Sequence, residues 1–83
     1  MKPVTIYTTP SCPFCVRAKK LLTQKKVAYK EIDVSTDDDA RDQLAQRTGQ
    51  RTVPQIYIGE KHIGGSDDLY ELEHKGELDA LLQ

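Results

Sequence analysis

Long apolar stretches are missing from this chain of 83 residues: no run of about 18 apolar residues exists to span a bilayer. The opening Met1-Lys2-Pro3-Val4 lacks the apolar centre of a secretory leader. Together these absences predict a reducing, cytoplasmic setting and no membrane partner. An excess of one charge is also missing. Twelve Lys and Arg against 13 Asp and Glu leave a net charge of −1, which gives no reason to expect nucleic acid. Cysteine is scarce. With two cysteines, and with His62 and His74 outside any finger spacing, a structural zinc site would lack half its ligands. Repeats, linkers and low-complexity segments are absent, so residues 1–83 read as one domain with a small but sufficient core.

The two cysteines that are present stand close together, in Cys12-Pro13-Phe14-Cys15. In a reducing setting such a pair is more often catalytic or metal-binding than a structural staple. Before it, Val4-Thr5-Ile6-Tyr7-Thr8 alternates and is β-branched, as a strand should be. After it, Ala18, Leu21 and Leu22 fall at i, i+3 and i+4, the apolar stripe of a helix. Pro13 suits the first helical position, where its missing N–H would have no partner anyway. Cys12 is then the cap residue. Its sulfur lies near the free N–H groups of the first turn, and these, with the helix dipole, favour a thiolate. Residues i and i+3 of a helix have α-carbons roughly 5 Å apart, inside the disulfide window of about 4.4–6.8 Å. The expectation is an exposed, reactive Cys12 and a more sheltered Cys15 one turn along, a pair built for thiol–disulfide exchange.

Arg17, Lys19, Lys20, Lys25, Lys26 and Lys30 form a basic run with no acid between them. It reads either as a solvated helix face or as a positive field that favours the thiolate and draws anionic substrates. Val27–Val34 reads as a second strand, parallel to the first through a right-handed crossover. Ser35 or Thr36 is expected to cap a second helix, with Asp37, Asp38 and Asp39 in its first turn and Leu44 and Ala45 as a modest apolar side. Gly49 is placed to end it. Gln55–Ile58 and Lys61–Ile63 flank Gly59-Glu60 as a hairpin. Ser66 or Asp67 is expected to cap a third helix, Gly76 to break it, and Glu77–Leu82 to form a last short one. The order βαβ-α-ββ-α predicts an α/β fold with a four-stranded mixed sheet and helices on both sides.

In this order and spacing, Cys12-Pro13-Phe14-Cys15, Thr52-Val53-Pro54 and Gly64-Gly65-Ser66-Asp67-Asp68-Leu69 resemble the motifs of the small bacterial dithiol glutaredoxins. The likeness runs from Ile6-Tyr7 to Leu81-Leu82. It implies a thioredoxin-like fold, glutathione as co-substrate with no tightly bound cofactor, and a monomer. The implied reaction is reduction of protein disulfides and protein–glutathione mixed disulfides, with ribonucleotide reductase among the candidate substrates. Cys12 and Cys15 would be the catalytic pair. Phe14, Arg51, Thr52, Val53, Pro54, Gly65, Ser66 and Asp67 would bind glutathione. Pro54 matches a proline that is cis in the family, Arg51 a basic residue near the glycine carboxylate, and Arg41 a further polar contact. The chain departs from its relatives at Thr9, where many carry lysine, at Phe14, where many carry tyrosine, and at Ser66, where some carry cysteine.

Two other functions share the motif. One is a dimer holding a [2Fe–2S] cluster through Cys12 and two glutathiones; the stiff Pro13 opposes it, and visible absorbance separates the two. The other is a thioredoxin-like donor indifferent to glutathione, which thioredoxin reductase would recharge.

Overall fold

A computed structural model of the chain describes residues 2–50 and 52–83. Strand β1 (Val4–Thr8) leads through α1 (Pro13–Gln24) to β2 (Tyr29–Asp33). Helix α2 (Asp38–Thr48) then precedes the hairpin of β3 (Gln55–Ile58) and β4 (Lys61–Gly64). Helices α3 (Ser66–His74) and α4 (Leu78–Leu82) complete the fold. The four strands lie in the order β2-β1-β3-β4. β1 pairs parallel with β2 and antiparallel with β3, and β3 with β4 is antiparallel, so the sheet is mixed as expected.

Alternation along β1 sends Val4 and Ile6 to one face and Tyr7 to the other. The first face, with Ile56 and Ile58, meets Ala18, Leu21 and Leu22 of α1 and Leu69 of α3 in a single aliphatic core. Leu22 and Leu69 are fully buried there, and truncating either to alanine costs about 2–5 kcal/mol. Tyr70 ties α3 to α1 by donating its hydroxyl to the Arg17 carbonyl at 2.9 Å. On the opposite face, α2 contributes a single buried residue, Leu44. Arg47 completes that contact, its guanidinium 5.8 Å from the Tyr7 ring and 5.0 Å from the Tyr57 ring.

Several boundaries differ from the sequence reading, each for a local reason. β2 is shorter than 27–34 because it pairs only with the five residues of β1. Val27 and Val34 are buried just outside it. The cap of α2 is Asp37, whose Oδ1 accepts from Ala40 N at 3.0 Å. Ser35 is engaged one step earlier, its N–H held by Asp33 Oδ1 at 2.8 Å. The cap of α3 is Gly65, and Ser66 is its first helical residue. β4 runs on to Gly64, and α4 begins at Leu78. Gly49 and Gly76 close α2 and α3 in the left-handed conformation, as placed from sequence.

Two lysines of the basic run are paired. Lys19 pairs with Glu31 at 2.9 Å, and Lys25 bridges Glu73 and Asp79, each at 2.8 Å. Arg17 lies over the Tyr70 ring, 5.1 Å from its centroid.

Candidate active site

The turn from β1 into α1 places both sulfurs. Cys12 caps α1 in extended backbone (φ −101°, ψ 108°), with Pro13 as the first helical residue. Its sulfur accepts the Cys15 N–H at 3.1 Å. A backbone donor aimed at sulfur is the contact that stabilises a thiolate. The expectation of an exposed Cys12 is corrected: the residue is only 9% accessible. The cause is the loop ahead of β3, whose Val53 carbonyl lies 3.6 Å from Cys12 Sγ and accepts from the thiol.

Cys15 faces inward and is 0% exposed. Burial pushes its thiol up to about 12, helped by a hydrogen bond to Cys12 and by the charge Cys12 carries when ionised. At neutral pH Cys15 therefore keeps its proton. The two thiols are chemically unequal, one held at the helix tip and the other sheltered behind it.

The loop over Cys12 carries a cis Val53–Pro54 bond. Beyond it opens a groove of about 190 Å³. Phe14, Thr52, Val53 and Pro54 line one part of it, and Gly65, Ser66 and Asp67 the other. The structure thus brings together Phe14, Thr52, Val53, Pro54, Gly65, Ser66 and Asp67, while Arg51 lies outside the described residues. Arg41 sits on α2 and does not line the groove. Phe14 is half-exposed at its mouth.

Gln50 and Asp68 also line the groove and were missed from sequence. Asp68 had a detectable signal: three residues after a glycine at a helix start, an acid reaches back to the cap. Its Oδ2 accepts from Gly65 N at 3.0 Å. Gly64 lies at φ +118°, and a β-carbon there would collide with the Asp68 carboxylate. Ser66 is buried, and its Oγ is the one buried side-chain polar atom among the described residues with no partner. Among the described residues no three His, Cys, Asp or Glu side chains converge to hold a metal ion. Nor, among them, is any helix long and apolar enough to cross a membrane.

A cysteine pair at the start of a helix, facing a cis-proline loop on a four-stranded mixed sheet, defines a thioredoxin-like thiol–disulfide oxidoreductase. The particular family follows from comparison with known proteins. The family model described as Glutaredoxin matches residues 4–63. A glutaredoxin of Pseudomonas aeruginosa is 55% identical over 82 residues, covering 99% of this chain and 98% of that protein. Glutaredoxin 3 of Escherichia coli is 47% identical over 83 residues, covering 100% of both. The crystal structure of a buckwheat glutaredoxin–glutathione complex superposes with a TM-score of 0.93 at 38% identity, covering 98% of this chain and 76% of that one. The chain belongs to the glutaredoxin family and is an enzyme of the thiol–disulfide oxidoreductase class.

Proposed function

We propose that this enzyme uses glutathione to reduce protein–glutathione mixed disulfides and protein disulfides, with Cys12 as nucleophile and Cys15 as resolving thiol. The observation that carries the reading is the groove beside Cys12. Its walls offer what a γ-glutamyl-cysteinyl-glycine chain requires. The Val53 backbone can pair with the cysteinyl residue as an added strand. The N–H groups at the start of α3 suit the γ-glutamyl carboxylate, and Asp67 suits its ammonium. Phe14 forms an apolar wall near the sulfur. Arg51 is assigned to the glycine carboxylate from its place in the sequence. The buckwheat relative was solved as a glutathione complex, which supports the same ligand here.

In the monothiol route, Cys12 thiolate attacks the glutathionyl sulfur of a protein–glutathione disulfide. The Cys12–glutathione bond forms as the bond to the substrate sulfur breaks, and the protein thiolate leaves and takes a proton from water. A second glutathione thiolate attacks the bound glutathionyl sulfur. Oxidised glutathione departs, and Cys12 is again a thiolate. On a protein disulfide, Cys12 first forms a mixed disulfide with one substrate sulfur. Cys15 then loses its proton and attacks Cys12 Sγ, freeing the substrate as a dithiol and leaving a Cys12–Cys15 disulfide for glutathione to reduce. The substrates are proteins of a reducing, cytoplasmic compartment, ribonucleotide reductase among the candidates, and no resident cofactor or second subunit is required.

A coupled assay tests the reading: glutathionylated peptide, glutathione, glutathione reductase and NADPH. Saturable NADPH oxidation that depends on glutathione is expected. Turnover supported by thioredoxin reductase and not by glutathione would overturn it.

A further inference from the structure

We infer that Gln55 and His62 form a buried relay that sets the Thr52-Val53-Pro54 loop for glutathionyl substrates, and that both are positioning residues. The inference rests on the glutathione reading above. Gln55 is wholly buried at the start of β3 although it is polar, and its amide is engaged on both sides. Nε2 donates to the Thr52 carbonyl at 2.9 Å and to Gln50 Oε1 at 3.1 Å, with Thr52 Oγ1 at 3.3 Å. Oε1 faces His62 Nε2 at 2.7 Å.

The direction of these bonds is determined by chemistry. A carbonyl oxygen only accepts, so the amide atom facing Thr52 must be the nitrogen. The oxygen then faces His62, which must carry a proton on Nε2 to donate to it. The strand register explains why the two residues meet. Gln55 and Tyr57 share one face of β3, and His62 of β4 is the partner of Tyr57. His62 also lies against the Tyr57 ring, 5.1 Å between centroids.

At the other end, Gln50 and Thr52 both line the groove. Thr48, in the last turn of α2, holds Gln50 N at 3.1 Å. Residues on β4, on β3 and after α2 thus converge, through one amide, on Gln50 and Thr52, close ahead of Val53. Val53 is the residue whose backbone faces Cys12. Without the His62 donor, the buried Gln55 oxygen has no partner on that side, and the amide is no longer held square to the Thr52 carbonyl. The loop would then present a less ordered edge to an extended ligand. A small thiol that does not reach along the edge would feel no difference.

The test compares one peptide carried on two disulfides, to glutathione and to cysteamine. His62→Phe keeps a ring beside Tyr57 and removes the donor. It should raise KM for the glutathionylated peptide about tenfold, as expected for loss of about one good hydrogen bond's worth of positioning, with kcat within about twofold. Turnover of the cysteamine adduct should change less than about twofold, and His62→Gln, which can donate, should restore the low KM. Gln55→Met should repeat the His62→Phe pattern; if it fails to fold, the His62 pair decides alone. Equal effects on both adducts, no effect on KM, or no rescue by His62→Gln would each overturn the relay. A wild-type enzyme that does not prefer the glutathionyl adduct would overturn the glutathione reading itself.

Discussion

The backbone N–H of Cys15 points at the sulfur of Cys12 across 3.1 Å, so the more deeply buried cysteine holds the other sulfur in place before any disulfide joins them. That one contact binds the sequence spacing, the helix cap and the inequality of the two thiols together.

The inequality predicts distinct losses. Cys12→Ser should abolish turnover of every substrate. Cys15→Ser should retain reduction of glutathionylated peptide and lose reduction of protein disulfides that need the second thiol. Steady-state assays of both variants on both substrates check this, and survival of Cys12→Ser with loss of Cys15→Ser would reverse the roles.

Burial raises the Cys15 thiol from 9.0 to about 12, and the consequence for stability has a definite sign. Above about pH 9 the unfolded chain gives up this proton while the folded chain keeps it, so the folded state binds more protons. The stability it contributes is complete below about pH 9 and is lost as pH rises towards about 12. The urea midpoint of the reduced enzyme should therefore fall across that window more steeply than that of Cys15→Ser. Parallel curves would refute it. Iodoacetamide near pH 8 should label Cys12 and spare Cys15, as peptide mapping would show.

Gly64→Ala places a β-carbon against the Asp68 carboxylate at a residue whose φ is +118°. A loss of about 1–3 kcal/mol in folding stability is expected from the backbone conformation alone. Displacing Asp68 from Gly65 N should also weaken glutathionyl binding. Urea unfolding and KM for glutathionylated peptide measure the two effects separately.

Asp67 stands exposed at the edge of the groove, where the γ-glutamyl ammonium is proposed to bind. Asp67→Asn should raise KM for glutathionylated peptide about tenfold, the effect expected for losing a charged partner. Iodoacetamide labelling of Cys12 should be unaffected. An unchanged KM would remove Asp67 from the site.

Arg47→Ala should destabilise the fold by about 0.5–1 kcal/mol through its two ring contacts, with kcat on glutathionylated peptide preserved. A normal urea midpoint would show that the two ring contacts do not stabilise α2.

Local signals carried much of this structure into the sequence. Alternation in Val4–Thr8 and the stripe of Ala18, Leu21 and Leu22 are short-range patterns, and each became the element it described. Pro13 marked the start of α1, and so fixed the Cys12 cap before any geometry was known. What was not legible depends on residues far apart in the chain. Gln55 reads as an ordinary strand residue until His62 and Thr52 are brought to either side of its amide. Lys25 reads as part of a solvated basic run until α3 and α4 place Glu73 and Asp79 beside it. The low exposure of Cys12 has the same origin, since the covering carbonyl belongs to Val53, 41 residues away. At α2 the Asp33 carboxylate holds the Ser35 N–H and Asp37 caps the helix instead, and at α3 the Asp68 carboxylate reaches back to the N–H of Gly65, which takes the cap position.

The most direct test of the central claim uses Cys15→Ser, in which Cys12 is the sole thiol, mixed with one equivalent of glutathionylated peptide and examined by mass spectrometry. Release of free peptide thiol is predicted, with glutathione left on Cys12. Free glutathione with the peptide attached to the enzyme, or no exchange at all, would contradict it.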